Sequence, residues 1–208
     1  MTSPKINSLN SPPNATKSVL FLGYDQVQTR LLDVLISNGC KVDHTEELID
    51  GRINYDFIVS FGYRHILRKD VIESVGCPIF NLHIAYLPYN RGAHPNFWSF
   101  YENTPSGVTI HLIDEGVDTG HIVYQRYVNF DNNESTFSET YNRLIEEIET
   151  LFEVNIDNII NDSWTSKPQR GDGTLHFVKD LPAEFSGWTS VINDEIKRLD
   201  MVRGDRNE

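Results

Sequence analysis

The chain reads as an α/β protein: a mostly parallel sheet with helices on its faces, followed by a short C-terminal appendage of strand and helix. Two patterns predict this. Short apolar runs recur at Val19–Gly23, Tyr55–Phe61 and Pro78–Leu82, the first two closing on glycine. Such runs suit strands buried on both faces, as in a parallel sheet. Between them lie segments whose apolar residues recur at helical spacing, so that strand, helix and strand alternate.

Residues 1–17 are rich in Ser, Asn and Pro and are expected to be a flexible tail. Val19–Gly23 is the first strand. Asp25 is placed to cap a helix carrying Val27, Leu31, Leu32, Leu35 and Ile36, which Asn38-Gly39 ends. Cys40–Val42 is a weaker second strand, Tyr55–Phe61 a strong third one, Ile66–Ser74 a short helix and Pro78–Leu82 a further strand. Pro95 suits the first turn of a helix over His94–Glu102. Val108–Ile113 and Ile122–Val128 alternate, as neighbouring strands joined through the turn-rich Asp114–Gly120 would. Phe137, Tyr141, Leu144, Ile145, Ile148, Leu151 and Phe152 mark one face of a long amphipathic helix. A small strand at Thr174–Val178 and a helix over Trp188–Met201 complete the chain. The expected division is tail 1–17, main domain 18–165 and extension 166–208, whose helix is a candidate homodimer contact.

Composition narrows the function. The 208 residues carry a formal net charge of −12, which disfavours nucleic acid as a partner because phosphate backbones are repelled. No apolar run is long enough for a membrane span. The polar N-terminus does not read as a secretory signal, so a cytoplasmic location is expected. Cys40 and Cys77 are far apart and form no C-x-x-C pair, which argues for free thiols and against a zinc or redox site. No metal is expected.

Three segments carry the chemistry. Asn81-Leu82-His83 ends an apolar strand, and strand alternation turns Asn81 and His83 the same way, toward the region beyond strand carboxyl ends where α/β sheets bind ligands. Leu87-Pro88-Tyr89-Asn90-Arg91-Gly92 is a loop whose arginine suits an anion. Gly107–Gly120 sets three glycines and three acids around a strand end, and Asp118 is placed to orient a histidine or take a proton. His111, in mid-strand, reads as a hydrogen-bonded structural histidine.

The order N-x-H, L-P-x-x-x-G, G-V-T-x-H-x-x-D-x-x-x-D-x-G resembles the catalytic domain of the N10-formyltetrahydrofolate-dependent formyltransferases, well over residues 55–128 and loosely over 18–54. The resemblance implies a Rossmann-like fold, N10-formyltetrahydrofolate as co-substrate, and a catalytic trio at Asn81, His83 and Asp118. That trio suits formyl transfer to an amine: an amide N–H for the developing oxyanion, an imidazole to move protons, and a carboxylate to orient it. Direct transfer is expected, without a covalent nucleophile.

Within the family, Tyr63–Leu67, Pro88–Gly92 and Gly173–Leu181 are most similar to sugar N-formyltransferases acting on nucleotide-linked 4-amino-4,6-dideoxyhexoses. The resemblance places the pterin near Gly62, Tyr63, Arg64, Ile66 and Asp114. For the sugar nucleotide (a dTDP- or GDP-sugar) it offers Arg91 as the cation, Asn90 and His94 as donors, and Tyr89 and Trp98 as stacking partners, with core packing the other reading of Trp98. Glycinamide ribonucleotide formyltransferase is the nearest alternative. Gly23-Tyr24-Asp25-Gln26-Val27-Gln28, with one glycine and an acid, departs from its phosphate loop. Methionyl-tRNA formyltransferase would bring a further domain and a basic surface. A non-catalytic folate- or nucleotide-binding module is the reading from another class.

Overall fold

The computed structural model describes residues 4–130 and 135–205. In chain order the elements are β1 (Asn7–Ser8), β2 (Lys17–Gly23), α1 (Leu31–Ser37), β3 (Cys40–Thr45), β4 (Phe57–Phe61), α2 (Lys69–Val75), β5 (Ile79–His83), β6 (Arg91–Gly92), α3 (Pro95–Tyr101), β7 (Gly107–Leu112), β8 (Ile122–Tyr127), α4 (Phe137–Val154), α5 (Ile156–Ile160), β9 (Leu175–His176) and α6 (Ile192–Asp205). Seven strands form one sheet in the order β1-β3-β2-β4-β5-β7-β8. β3, β2, β4 and β5 run parallel, while β1, β7 and β8 each pair antiparallel with a neighbour. This is the predicted mostly parallel α/β architecture.

The central strands are apolar throughout because both faces are covered. On one face Val19, Phe21, Val59 and Phe80 pack with Leu31, Leu35, Leu144, Ile148 and Phe152 of α1 and α4. On the other, Leu20, Leu22, Ile58 and Ile79 pack with Val71 and Val75 of α2. Each such side chain contributes roughly 1.5–3 kcal/mol of transfer free energy. α4 starts where a capping box closes: Thr136 Oγ1 accepts from the Glu139 N–H, and Glu139 accepts from the Thr136 N–H at 2.7 Å.

Several boundaries differ from the sequence expectation for physical reasons. The first helix begins at Leu31, not after Asp25. Asp25 Oδ1 accepts from the Val27 and Gln28 N–H groups, closing an Asx turn, and Val27 is fully outside the core at 93% exposure. The second strand continues through Asp43, His44 and Thr45, where Tyr55 Oη donates to Asp43 Oδ2 and the Gly23 and Lys5 carbonyls pair with His44 and Thr45. Asn7–Ser8 pairs with that strand's outer edge, so residues 7–8 of the expected tail belong to the sheet, while residues 1–3 lie outside the described residues. Unpaired edge N–H and C=O groups supply the drive for this pairing. The short helix before β5 starts at Lys69 and leaves Ile66 exposed. In the extension, β9 pairs parallel with β6, and α6 starts at Ile192. α6 buries Ile192 and Leu199 against Phe97, Trp98 and Phe137 of its own chain.

Candidate active site

β4 and β5 end beside each other, and a cavity of about 750 Å³ opens beyond their carboxyl ends. The loop after β4 supplies Gly62, Tyr63, Arg64 and Ile66 to its wall; β5 supplies Asn81 and His83; the turn after β7 supplies Asp114 and Asp118. His94 lines it as well. Nine of the residues singled out from sequence therefore share one cavity, although they span four connections of the chain.

Gly62 shows why glycine stands at the first of these positions. Its φ is +69°, and a Cβ there would lie 2.3 Å from the Tyr24 ring. Tyr24 in turn packs edge-on against Phe61 and shares a 3.0 Å hydroxyl–hydroxyl hydrogen bond with Tyr141 of α4, and both tyrosines line the cavity. Tyr63 is tied down: its hydroxyl donates to the Glu47 carbonyl at 2.8 Å, and burial raises its pKa. Asp114 Oδ1 accepts from the Gly116 N–H and the Thr119 hydroxyl, which shapes the turn leading to Asp118.

The trio is in contact. Asn81 Nδ2 donates to Asp118 Oδ1 at 3.2 Å, and His83 Nε2 lies 3.6 Å from Asp118 Oδ2. His83 Nε2 also donates to the Asn90 carbonyl at 3.1 Å. A carbonyl only accepts, so Nε2 carries that hydrogen, and Nδ1 is the nitrogen left to gain or lose a proton. Asp118 sits at φ +51° with its side chain 15% exposed, and its Oδ2 accepts the Gly92 N–H at 2.8 Å. Burial pushes the Asp118 carboxyl up, but the adjoining His83, the His111 ring and the Gly92 N–H outweigh it and hold the group well below the usual carboxylate range. The pKa of His94 is also lowered, in its case by burial.

A fourth member was read from sequence as structural. β5 and β7 pair so that His111 stands directly opposite Asn81, and a register shift at Ile110/His111 lies beside it. His111 Nδ1 donates to the Leu112 carbonyl at 2.8 Å, which leaves Nε2 to accept from Asn81 Nδ2 at 3.0 Å. The histidine is buried and hydrogen-bonded, as expected, but its partners are the site residues themselves. Both N–H groups of Asn81 are thus engaged, one by His111 and one by Asp118.

The loop predicted to grip the second ligand is differently disposed. Trp98 is 6% exposed in the α3 core and stacks on His176 at 3.9 Å, so it offers no face for a base. Asn90 is 1% exposed; its amide pairs with Thr104 and Thr174, and only its backbone carbonyl serves the site, through His83. The Arg91 guanidinium is bonded to Gln169, and neither Arg91 nor the half-exposed Tyr89 lines the cavity. Sequence placed Tyr89, Asn90 and Arg91 on one loop and Trp98 on the helix after it; the fold turns Asn90 and Trp98 inward, and buried polar groups there find partners within the chain. Residues missed from sequence are Tyr24, Tyr141, His176 and Phe177 on the cavity wall. Three of them arrive from the long helix and the extension: Tyr141 reads in sequence as part of an apolar helix face, and His176 and Phe177 lie in the Gly173–Leu181 segment without being singled out.

The site sets an imidazole, an ionised carboxylate and an amide beside a cavity of ligand size. Cys40 is fully buried, and burial pushes its thiol up to about 11, so it is no nucleophile for this cavity. Such an arrangement defines an α/β protein whose cavity carries the groups that acid–base group transfer uses.

The chain belongs to the formyl transferase family, whose model matches residues 41–154. It is 30% identical over 161 residues to dTDP-4-amino-4,6-dideoxyglucose formyltransferase of Mycobacterium bovis, a match covering 77% of this chain and 62% of that protein. It is 35% identical over 155 residues to methionyl-tRNA formyltransferase of Thermodesulfovibrio yellowstonii, covering 73% and 48%. The chain therefore spans less than two thirds of the length of these curated relatives. Among solved structures, the formyltransferase PseJ from Anoxybacillus kamchatkensis, in complex with UDP-4,6-dideoxy-4-formamido-L-AltNAc and tetrahydrofolate, is 38% identical with a TM-score of 0.78, covering 85% of this chain and 96% of that one. A 4-N formyltransferase from Francisella tularensis shares the fold at 20% identity and a TM-score of 0.73, covering 86% of each chain.

Proposed function

We propose that this protein transfers a formyl group from N10-formyltetrahydrofolate to the 4-amino group of a nucleotide-linked 4-amino-4,6-dideoxyhexose, by direct acyl transfer. The observation that carries the reading is the contact cluster of Asn81, His83, Asp118 and His111 at the floor of one cavity. The similarity to PseJ over nearly the whole of that chain favours a UDP-linked sugar, and the mycobacterial relative supports a dTDP-linked one, which is one of the two nucleotides, dTDP or GDP, expected from sequence.

The cavity suits both ligands. Its volume lies within the usual range for small-molecule sites. Gly62, Tyr63 and Ile66 border it on the side of β4, where a flat pterin would lie against backbone, and Arg64 is the cation there for a carboxylate tail. The folate supplies the activated formyl carbon. Asp118, held ionised, draws the proton of the attacking amine toward His83 and stabilises the imidazolium that results. His83 then gives a proton to the departing nitrogen, so that one proton leaves the amine and one reaches the folate. Asn81 donates to the carbonyl oxygen as charge grows on it. Because both its N–H groups are engaged, Asn81 must exchange one bond to do so, and the longer, 3.2 Å bond to Asp118 is the weaker of the two.

The decisive assay mixes the protein with N10-formyltetrahydrofolate and a panel of UDP-, dTDP- and GDP-linked 4-amino sugars, glycinamide ribonucleotide and methionyl-tRNA, following tetrahydrofolate release. Turnover on an amino sugar supports the reading. Turnover on the ribonucleotide or the tRNA alone overturns it. Replacement His83→Asn is expected to abolish turnover and leave folate binding measurable by calorimetry.

A further inference from the structure

We propose that Gln169, in the segment following α5, is a positioning residue for Asp118, and that Arg91 serves this arrangement rather than an anionic ligand. The proposal rests on the formyl-transfer reading of the same site.

The segment is anchored two residues earlier. Lys167 and Ile122 exchange both backbone hydrogen bonds, at 2.8 and 2.9 Å, which lays the chain along the start of β8. Two residues on, Gln169 lies over the turn from Asp118 to Gly120. Its neighbours Lys167, Pro168 and Arg170 are exposed, whereas Gln169 is partly buried. The amide makes all four hydrogen bonds available to it. Nε2 donates to the carbonyls of Asp118 and Gly120 at 2.7 and 2.9 Å. Oε1 accepts from Nε and a terminal nitrogen of Arg91 at 3.1 and 2.9 Å.

These bonds close a ring around the carboxylate. Gln169 holds the backbone of Asp118 on one side and the side chain of Arg91 on the other. The residue after Arg91 is Gly92, whose N–H donates to Asp118 Oδ2. β6 is further fixed by β9 of the same extension. Asp118 needs such support because a non-glycine residue at φ +51° occupies a sparsely populated region, and a turn around it readily relaxes elsewhere. An amide is the group that fits: it must donate to two carbonyls and accept from a guanidinium at once. A carboxylate could keep Arg91 but would face two carbonyl oxygens without a hydrogen to offer.

The test compares wild type with Gln169→Ala and Gln169→Glu. Both variants are expected to lose about 10²-fold in kcat, the scale of a small misplacement in an active site, with KM for the amino sugar and the formyl donor within about twofold of wild type. The kcat–pH profile is expected to differ from that of wild type, since Asp118 no longer holds its place beside His83. Imidazole NMR titration of His83 and His111 reads the same displacement without turnover: their curves should shift in both variants. Unchanged kcat and unchanged imidazole curves, a loss confined to KM, or a Gln169→Glu variant that behaves as wild type would each overturn the proposal. If the wild type turns over no amino sugar, the formyl-transfer reading fails while the imidazole titration still decides the role of Gln169. If Gln169→Ala does not fold, Gln169→Glu decides alone.

Discussion

Replacing Asp118 with Asn exchanges an oxygen for an NH2 group of nearly the same size and isolates the carboxylate's charge from its shape. Oδ1 accepts from Asn81 and Oδ2 accepts from the Gly92 N–H. In Asp118→Asn one acceptor becomes a donor facing a donor, at a side chain only 15% exposed. A buried polar group left unpaired costs about 1–3 kcal/mol, which is the expected loss of stability at pH 7. The charge has a pH signature. The folded-state pKa of Asp118 is depressed, so its contribution is fully present above the unfolded carboxylate value near 4 and is lost as pH falls through the folded value. The carboxylate thus contributes pH-dependent stability that the Asn side chain lacks, and acidification below about pH 4 begins to remove it. Urea unfolding from pH 7 down to pH 3 should therefore show a shallower acid decline in the variant than in wild type. On activity, loss of the group that orients and charges His83 should lower kcat by roughly 10²–10⁴-fold, about 2.7–5.5 kcal/mol of barrier. Parallel acid declines together with a kcat within threefold of wild type would refute the reasoning.

Three further outcomes follow from the same geometry. Gly62→Ala sets a methyl 2.3 Å from the Tyr24 ring at φ +69° and should cost about 1–3 kcal/mol, read as a lowered Tm, with folate affinity falling alongside. Thr136→Ala removes the α4 cap and should cost about 0.5–2 kcal/mol in urea melts without altering kcat. Cys40 should resist thiol reagents at pH 8 in the folded protein and react on unfolding, because it is fully buried and its thiol is pushed up to about 11.

The strands were legible because each is an apolar run that the sheet must bury on both sides, and α4 because its apolar residues hold one face for 18 residues. The start of α1 was less so. Asp25 carries the composition of a cap, but its carboxylate closes a tight turn instead, a choice between two local hydrogen-bond patterns that sequence does not separate. Asn90, Arg91 and Trp98 share one property that their sequence neighbourhood does not show: each meets a residue more than 70 positions later, Asn90 bonding to Thr174, Arg91 to Gln169 and Trp98 stacking on His176.

Residue order alone determined the α/β class, through apolar runs that are a local property, and its ordered motifs carried the resemblance that picked out the family and pointed to Asn81, His83 and Asp118. Only the tertiary structure decided the rest. The antiparallel pairing of β5 with β7 set His111 opposite Asn81, and the return of the extension set Gln169 on the Asp118 turn. Those contacts join segments 30 and 51 residues apart. Their register follows from how the whole sheet packs, which no short window of sequence contains.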